Sequence, residues 1–211
     1  MELSVNVFIS LDGVMQGPGG REEDTTGGFD GGGWIVEFSD EDFGRIVAEK
    51  WFAAGDRILL GRTTFDMMRP YWTAITDPAN PIATALNTFP KYVVSTTLVE
   101  PEWGDTTVIS GDVVESIREL KAQPGRELQV HGSWQLVQTL REAGLVDLYR
   151  IIVFPVVVGT GKRLFPEGTP LTAFDVVDKE FTSTGAAAFV LRPRQAHPGT
   201  FVVEDGRESV A

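Results

Sequence analysis

The stretch from Val130 to Pro166, VHGSWQLVQTLREAGLVDLYRIIVFPVVVGTGKRLFP, constrains the fold more than any other part of the chain. An apolar run, Leu128 to Val130, enters a small-residue turn at His131-Gly132-Ser133. Leu136, Val137, Leu140 and Leu145 then recur at helical spacing. Tyr149 to Val158 is a strand-like apolar run, punctuated by Pro155 and closed by Gly159-Thr160-Gly161. Strand, glycine turn, helix and strand make a βαβ unit. Such a unit brings bare backbone N–H groups and a positive helix end to the carboxyl edge of a sheet, where anionic ligands bind.

The rest of the chain repeats the alternation. Leu3 to Leu11 reads as a buried first strand, ended by Asp12-Gly13. Residues 13–33 hold nine glycines and Pro18, which predicts a long mobile loop. A loop of that length reads as a lid over a site (Gly17 to Gly33) or as a disordered surface excursion. Ser39 or Asp40 caps the next helix, with Phe43, Ile46, Val47 and Trp51 on one face. Arg57 to Leu60 is a short strand feeding Gly61-Arg62-Thr63-Thr64-Phe65, a second strand–glycine–helix junction. A short helix over Ile82 to Asn87 precedes a strand from Lys91 that ends in Ser95-Thr96-Thr97. Thr106 to Ile109 is a strand, Asp112 begins a helix, and Pro124-Gly125 ends it. Phe174 to Phe181 and Ala186 to Leu191 read as an antiparallel hairpin. These elements predict an α/β fold, mostly parallel sheet with antiparallel C-terminal strands and helices on both faces. One domain is expected over residues 1–193. Residues 194–211 form a tail whose Phe201 to Val203 would add an edge strand or pack on a partner subunit.

Composition excludes several function classes. With 18 Lys+Arg against 30 Asp+Glu the net charge is −12, and no basic cluster exists to neutralise a nucleic-acid backbone. The absence of cysteine removes disulfides, thiolate catalysis and cysteine metal sites, and fits a cytoplasmic protein. Only His131 and His197 are present, and no carboxylates are spaced like a metal centre. No apolar run approaches the roughly 20 residues of a membrane helix, and the N-terminus lacks the apolar core of a signal peptide.

Three strand ends share one chemistry: Gly61-Arg62-Thr63-Thr64, Ser95-Thr96-Thr97 and His131-Gly132-Ser133 with Trp134 opening the helix. In a parallel sheet all three lie on the carboxyl edge. Glycine admits a phosphate to the backbone, helix N–H groups and hydroxyls donate to its oxygens, and Arg62 adds charge. Together they can hold a dinucleotide; singly, each also reads as a helix cap. Gly159-Thr160-Gly161-Lys162 is not a P-loop, because Val156 and Arg163 stand where glycine and Ser/Thr are needed. The Rossmann glycine pattern is missing after the first strand.

As an ordered set, Ser10-Leu11-Asp12-Gly13, Leu60 to Phe65, Val93 to Thr96, Val130 to Ser133, Gly144 to Asp147, Pro155, Gly159 to Gly161 and Leu164 to Pro166 resemble the dihydrofolate reductase-like superfamily. The nearer branch is that of the C-terminal reductase domain of bifunctional riboflavin-biosynthesis enzymes. The resemblance implies a three-layer α/β/α fold that binds NADPH along the sheet edge. It implies that Gly61, Arg62 and Thr64 contact cofactor phosphates and that Ser95 lies near the adenosine 2′-phosphate. Gly132 and Ser133 would meet the pyrophosphate and nicotinamide ribose. Dihydrofolate reductases carry a catalytic acid on the helix after the first loop; here Glu41, Asp42 and Glu49 lack a motif that places one. Without cysteine, the zinc deaminase domain of the bifunctional enzymes is not expected.

The function expected is hydride transfer from NADPH to a small pterin-like or ribosylaminopyrimidine-like heterocycle. The alternatives are a nucleotide-binding protein of the same fold without catalysis, or a true dihydrofolate reductase. Asp12 is the candidate to bind substrate or relay a proton, or is a turn residue before Gly13. Trp34 and Phe38 stack on a flat heterocycle or fill the core. Gln16 bonds a ring edge or faces solvent. His131 reaches substrate or is an ordinary buried histidine. Lys162 and Arg163 read as solvated. The C-terminal strands have edges that need cover, so a homodimer is expected.

Overall fold

The structure, a computed structural model, describes residues 1–204 and 206–210. β1 (Glu2–Ser10) leads through an irregular segment, with single 3-10 turns at Thr26–Gly28 and Val36–Phe38, into α1 (Glu41–Ile46). Asp40 caps that helix by accepting from the Phe43 N–H at 2.7 Å. The helix then widens into a π-helical turn over Val47–Phe52. β2 (Arg57–Gly61), α2 (Arg62–Ala74), α3 (Pro81–Thr88) and β3 (Lys91–Val94) follow. β4 (Thr106–Ile109), α4 (Val113–Ala122), β5 (Glu127–His131), α5 (Trp134–Glu142) and β6 (Leu148–Phe154) complete the alternating part. β7 (Thr172–Phe181) and β8 (Ala187–Gln195) form the expected hairpin.

Eight strands make one sheet in the order β4-β3-β2-β5-β1-β6-β8-β7. The first six are mutually parallel, and β8 and β7 add on antiparallel. Strand residues alternate between faces, so each strand feeds two cores. Ile58, Leu60, Val93, Ile152 and Phe154 meet Ile46, Trp51, Phe65 and Leu86 from α1 to α3 on one face. Leu3, Val5, Leu59, Leu128, Val130 and Ile151 meet Ile117, Leu120, Val137 and Leu140 from α4 and α5 on the other. The expected three layers are therefore present.

Three expectations need correction. The glycine-rich segment is not a loose excursion: Val14, Met15, Phe29, Trp34 and Ile35 are all buried. The tail does not extend the main sheet. Instead β9 (Phe201–Glu204) pairs antiparallel with β10 (Arg207–Val210) in a separate two-stranded hairpin. β8 also runs to Gln195, two residues past the expected boundary at 193. Asp205 and Ala211 lie outside the described residues.

Candidate active site

The sheet order places β3, β2, β5, β1 and β6 side by side with one direction, so Ser95, Gly61, His131, Ser10 and Pro155 follow one another along the carboxyl edge. The β2 and β5 turns are bonded to each other. The Gly61 N–H donates to Ser133 Oγ at 3.0 Å, and the Ser133 N–H donates to Thr64 Oγ1 at 3.1 Å. The Ser133 hydroxyl in turn donates to the His131 carbonyl at 3.0 Å. Gly132 and Ser133 both adopt the left-handed region, with φ of 54° and 55°. A side chain on Gly132 would be strained there, and its Cβ would press on Thr64 Cγ2 at 3.4 Å.

These two turns open α2 and α5, and beyond the Gly61 and Ser133 amides neither helix has a capping side chain on its first turn. By contrast Asp40, Asn80 and Asp112 cap α1, α3 and α4. The first turns of α2 and α5 thus present unsatisfied N–H donors and two positive helix ends at one place on the edge. The chemistry of such a donor set fits phosphate oxygens. Arg62 stands at the start of α2, with its Nε on Asp66 at 2.6 Å and its side chain 38% exposed. Thr63, Thr96 and Thr97 are exposed. Ser95 is buried, and its Oγ accepts from the Thr97 and Leu98 N–H groups, which shapes that turn.

Beside α5 lies an open groove of ≈ 700 Å³ between Thr26–Phe29, Trp134 and residues 160–167. Trp134 forms part of its wall, fixed by its Nε1–H on the Arg163 carbonyl at 2.8 Å. The glycine-rich segment is bolted to this loop. Gln16 donates to the carbonyls of Asp24 and Thr26 and accepts from the Lys162 N–H at 3.0 Å. Lys162 Nζ pairs with Asp24 at 2.7 Å. Lys162 and Arg163, read as solvated, are structural pins, and Gln16 is 4% exposed with both ends of its amide occupied within the chain.

Asp12 stands at the end of β1 as expected, with its carboxylate fully engaged. It accepts from Ser10 Oγ at 2.7 Å, the Val158 N–H at 3.0 Å and the Gly159 N–H at 2.8 Å, and Arg163 flanks it at 3.4 Å. The Ser10 hydrogen bond leads in holding its pKa down at about 2. Asp12 therefore carries no proton near neutral pH. Replacing Asp12 with alanine removes the hydrogen bonds to the Val158 and Gly159 amides, which water partly replaces, and is expected to cost ~0.5–1.5 kcal/mol. Urea unfolding would measure this; a loss below ~0.5 kcal/mol would refute the bracing role.

Trp34 lies in the core. It is 8% exposed, its Nε1–H bonds the Gln16 carbonyl at 2.9 Å, and it meets Phe154 edge-on at 5.9 Å. Phe38 and Phe43 also pack on Phe154, which with Phe8 and Trp51 makes an aromatic cluster between α1 and the sheet. His131 is 8% exposed and stacks on Phe52 at 4.8 Å. Burial leads in pushing its pKa down to about 3, and Arg150 adds to the shift, so the imidazole is neutral. Of the acids on α1, Glu41 and Glu49 are exposed. Asp42 pairs with Arg45 and accepts from the Ser183 N–H.

One group went unforeseen: Ser4, Asn6, Glu127, Gln129 and Arg150, all buried on the α1 face of the sheet. Arg150 pairs with Glu127, and Ser4 Oγ donates to the same carboxylate at 2.6 Å. Among the described residues no group of three or more His, Cys, Asp or Glu is placed to hold a metal, and no helix is long and apolar enough to cross a membrane.

The architecture is that of the dihydrofolate reductase-like folds. Dihydrofolate reductase from Enterococcus faecalis, solved as a complex with NADP(H), superposes with a TM-score of 0.54 at 17% identity, covering 92% of this chain and 97% of that one. The RibD C-terminal domain model matches residues 2–188, and the chain belongs to that family. The Thermotoga maritima diaminohydroxyphosphoribosylaminopyrimidine deaminase/5-amino-6-(5-phosphoribosylamino)uracil reductase superposes with a TM-score of 0.61 at 16% identity. It is covered over 56% of its length by 92% of this chain. A curated relative, the "Uncharacterized protein YyaP" of Bacillus subtilis (strain 168), is 27% identical over 188 residues, 88% of this chain and 92% of that protein.

Proposed function

We propose that the chain is an NADPH-dependent reductase that delivers a hydride to a small planar heterocycle of the ribosylaminopyrimidine or pterin type. The observation that carries this reading is the pair of uncapped helix starts, α2 and α5, joined through Gly61, Thr64 and Ser133. Their amides, with Gly132 and Arg62, would hold the cofactor phosphates. Thr96 and Thr97 beside Ser95 would take the adenosine 2′-phosphate. A bound nicotinamide supplies the hydride. The segment from Gly17 to Gly33 and Trp134 would keep water from it, which hydride transfer requires. Asp12, ionised and bonded, positions the loop after β6 rather than protonating substrate, and the proton comes from solvent. Membership of the RibD C-terminal domain family supports the reductase assignment. A folate substrate is disfavoured, because α1 and the π-helical turn after it send Phe43, Ile46, Val47, Trp51 and Phe52 into the core, while Glu41 and Glu49 are exposed and Asp42 is held by Arg45 and the Ser183 N–H.

A homodimer belongs to the same reading. Exposed Val176, Val177 and Phe181 on edge strand β7, and Phe201 and Val203 on the terminal hairpin, support it. A second reading, nucleotide binding without catalysis, draws on the aromatic cluster filling the space between α1 and the sheet. NADPH consumption with pterins, flavin precursors and nitro-aromatics separates the two.

Gly132→Val tests the cofactor site directly. The β-branched side chain meets Thr64 and the left-handed backbone. NADPH affinity measured by calorimetry should drop on the order of 100-fold, ~2.7 kcal/mol, with the circular dichroism of a folded chain retained. Unchanged affinity would remove the site.

A further inference from the structure

The polar residues buried beneath α1 form an ordered chain of donors and acceptors that ends at His131. Glu127 is held by Arg150 and by Ser4 Oγ. Gln129, 0% exposed, donates through Nε2 both to the Trp51 carbonyl and to Glu127 Oε1 at 3.2 Å. Both partners are acceptors only, so the amide cannot be turned round: a flip would set its oxygen against a carboxylate and a carbonyl. The π-helical turn supplies the Trp51 carbonyl, and Gly55 leaves the space, since a Cβ there would come within 2.5 Å of Gln129 Cδ. Gln129 Oε1 is thereby aimed at His131 Nε2, 3.4 Å away. An acceptor facing that nitrogen demands a proton on it. In a neutral ring, Nδ1 is then bare, and among the described residues no group bonds to it.

We propose that Glu127, Gln129 and Arg150 are positioning residues that fix His131 as the Nε2–H imidazole, leaving Nδ1 as a hydrogen-bond acceptor for an N–H or O–H donor on the ligand seated at the Gly132-Ser133 turn. The ligand half of this rests on the reductase reading; the tautomer half does not. It assigns His131 the part of a specificity residue that favours ligands bearing a donor at that position and disfavours those presenting a second acceptor.

The test is a long-range ¹H–¹⁵N correlation spectrum of the full chain at neutral pH, where only two histidines need assignment, and His197→Gln identifies His131. The expected result is a protonated-type Nε2 and a lone-pair-type Nδ1. A protonated Nδ1, or an imidazolium, would overturn the proposal. In Gln129→Met, both tautomers should become populated; a pure Nε2–H form in that variant would show that the relay does not set it. If that variant fails to fold, the double variant Glu127→Leu with Arg150→Met, which removes one of the two acceptors fixing the amide together with its counter-charge, is read in the same way. Titrating the unsubstituted chain with NADPH should move the Nδ1 resonance and leave Nε2 nearly unchanged. Calorimetric binding with no movement at Nδ1 overturns the ligand contact. Failure of NADPH to bind at all refutes both the reductase reading and the contact resting on it, with the tautomer still measured in the free chain.

Discussion

Arg150→Ala is expected to destabilise the protein by about 3–5 kcal/mol, the largest single-residue effect anticipated here. The side chains of Arg150 and Glu127 are 8% and 6% exposed. Without the guanidinium, the Glu127 carboxylate stays sealed among Ser4, Gln129 and apolar neighbours with no counter-charge. The pair is not therefore a strong net source of stability. Asn6 Oδ1 and Arg150 Nε are already sealed without partners, and two desolvated ions recover little beyond their burial cost. The double variant Glu127→Leu with Arg150→Met should accordingly lie within ~1.5 kcal/mol of the parent. Urea unfolding at neutral pH measures both. A loss under ~1 kcal/mol for the single variant would mean that solvent reaches the pair.

The second large effect is acid lability centred on His131. Its pKa is about 3 in the folded chain and 6.5 when unfolded. Between those values the unfolded state binds a proton that the native state refuses, so stability rises with pH through this window and falls as pH drops through it. By pH 4.5 the loss should reach about 2–3 kcal/mol, at 1.36 kcal/mol per unit. Asp12, Asp24, Asp40, Asp178 and Glu180, all with lowered values, add their losses only below their unfolded pKa values. Glu23, raised chiefly by burial, works in the opposite direction just above 4.5. Denaturant midpoints from pH 7 to 4.5 should therefore fall steeply for the parent and much less for His131→Asn. Parallel curves for the two proteins would place the acid sensitivity elsewhere.

The layers and the position of the candidate site were legible in the sequence because they depend on local signals. Short apolar runs such as Ile58–Leu60, and glycine turns followed by helical spacing, fix element type and direction. Direction alone then collects Gly61, Ser95 and His131 on one edge. The buried polar face was not legible, for a physical reason. In β5, Glu127, Gln129 and His131 alternate with Leu128 and Val130, a pattern that ordinarily marks one solvated face. Here α1 covers that face, and only tertiary contacts reveal it. The glycine segment misled in the opposite sense. Its glycines predict freedom, yet Gln16 ties it to Lys162 in the loop after β6, Trp34 packs on Phe154 at the end of that strand, and Phe29 joins the same core. Asp12 shows the same limit: its place at the strand end was readable, while the amides of Val158 and Gly159 that occupy it were not.

The sheet order also governs how the chain comes to be made. β1, synthesised first, pairs with β5 and β6 and with nothing nearer in sequence. Leu3, Val5 and Val7 must therefore remain unpaired until residues beyond 127 have left the ribosome, and such long-range parallel closure is slow and prone to association. Apolar Leu3, Val5 and Val7 thus wait through the synthesis of more than a hundred further residues, whatever ligand the finished protein later receives.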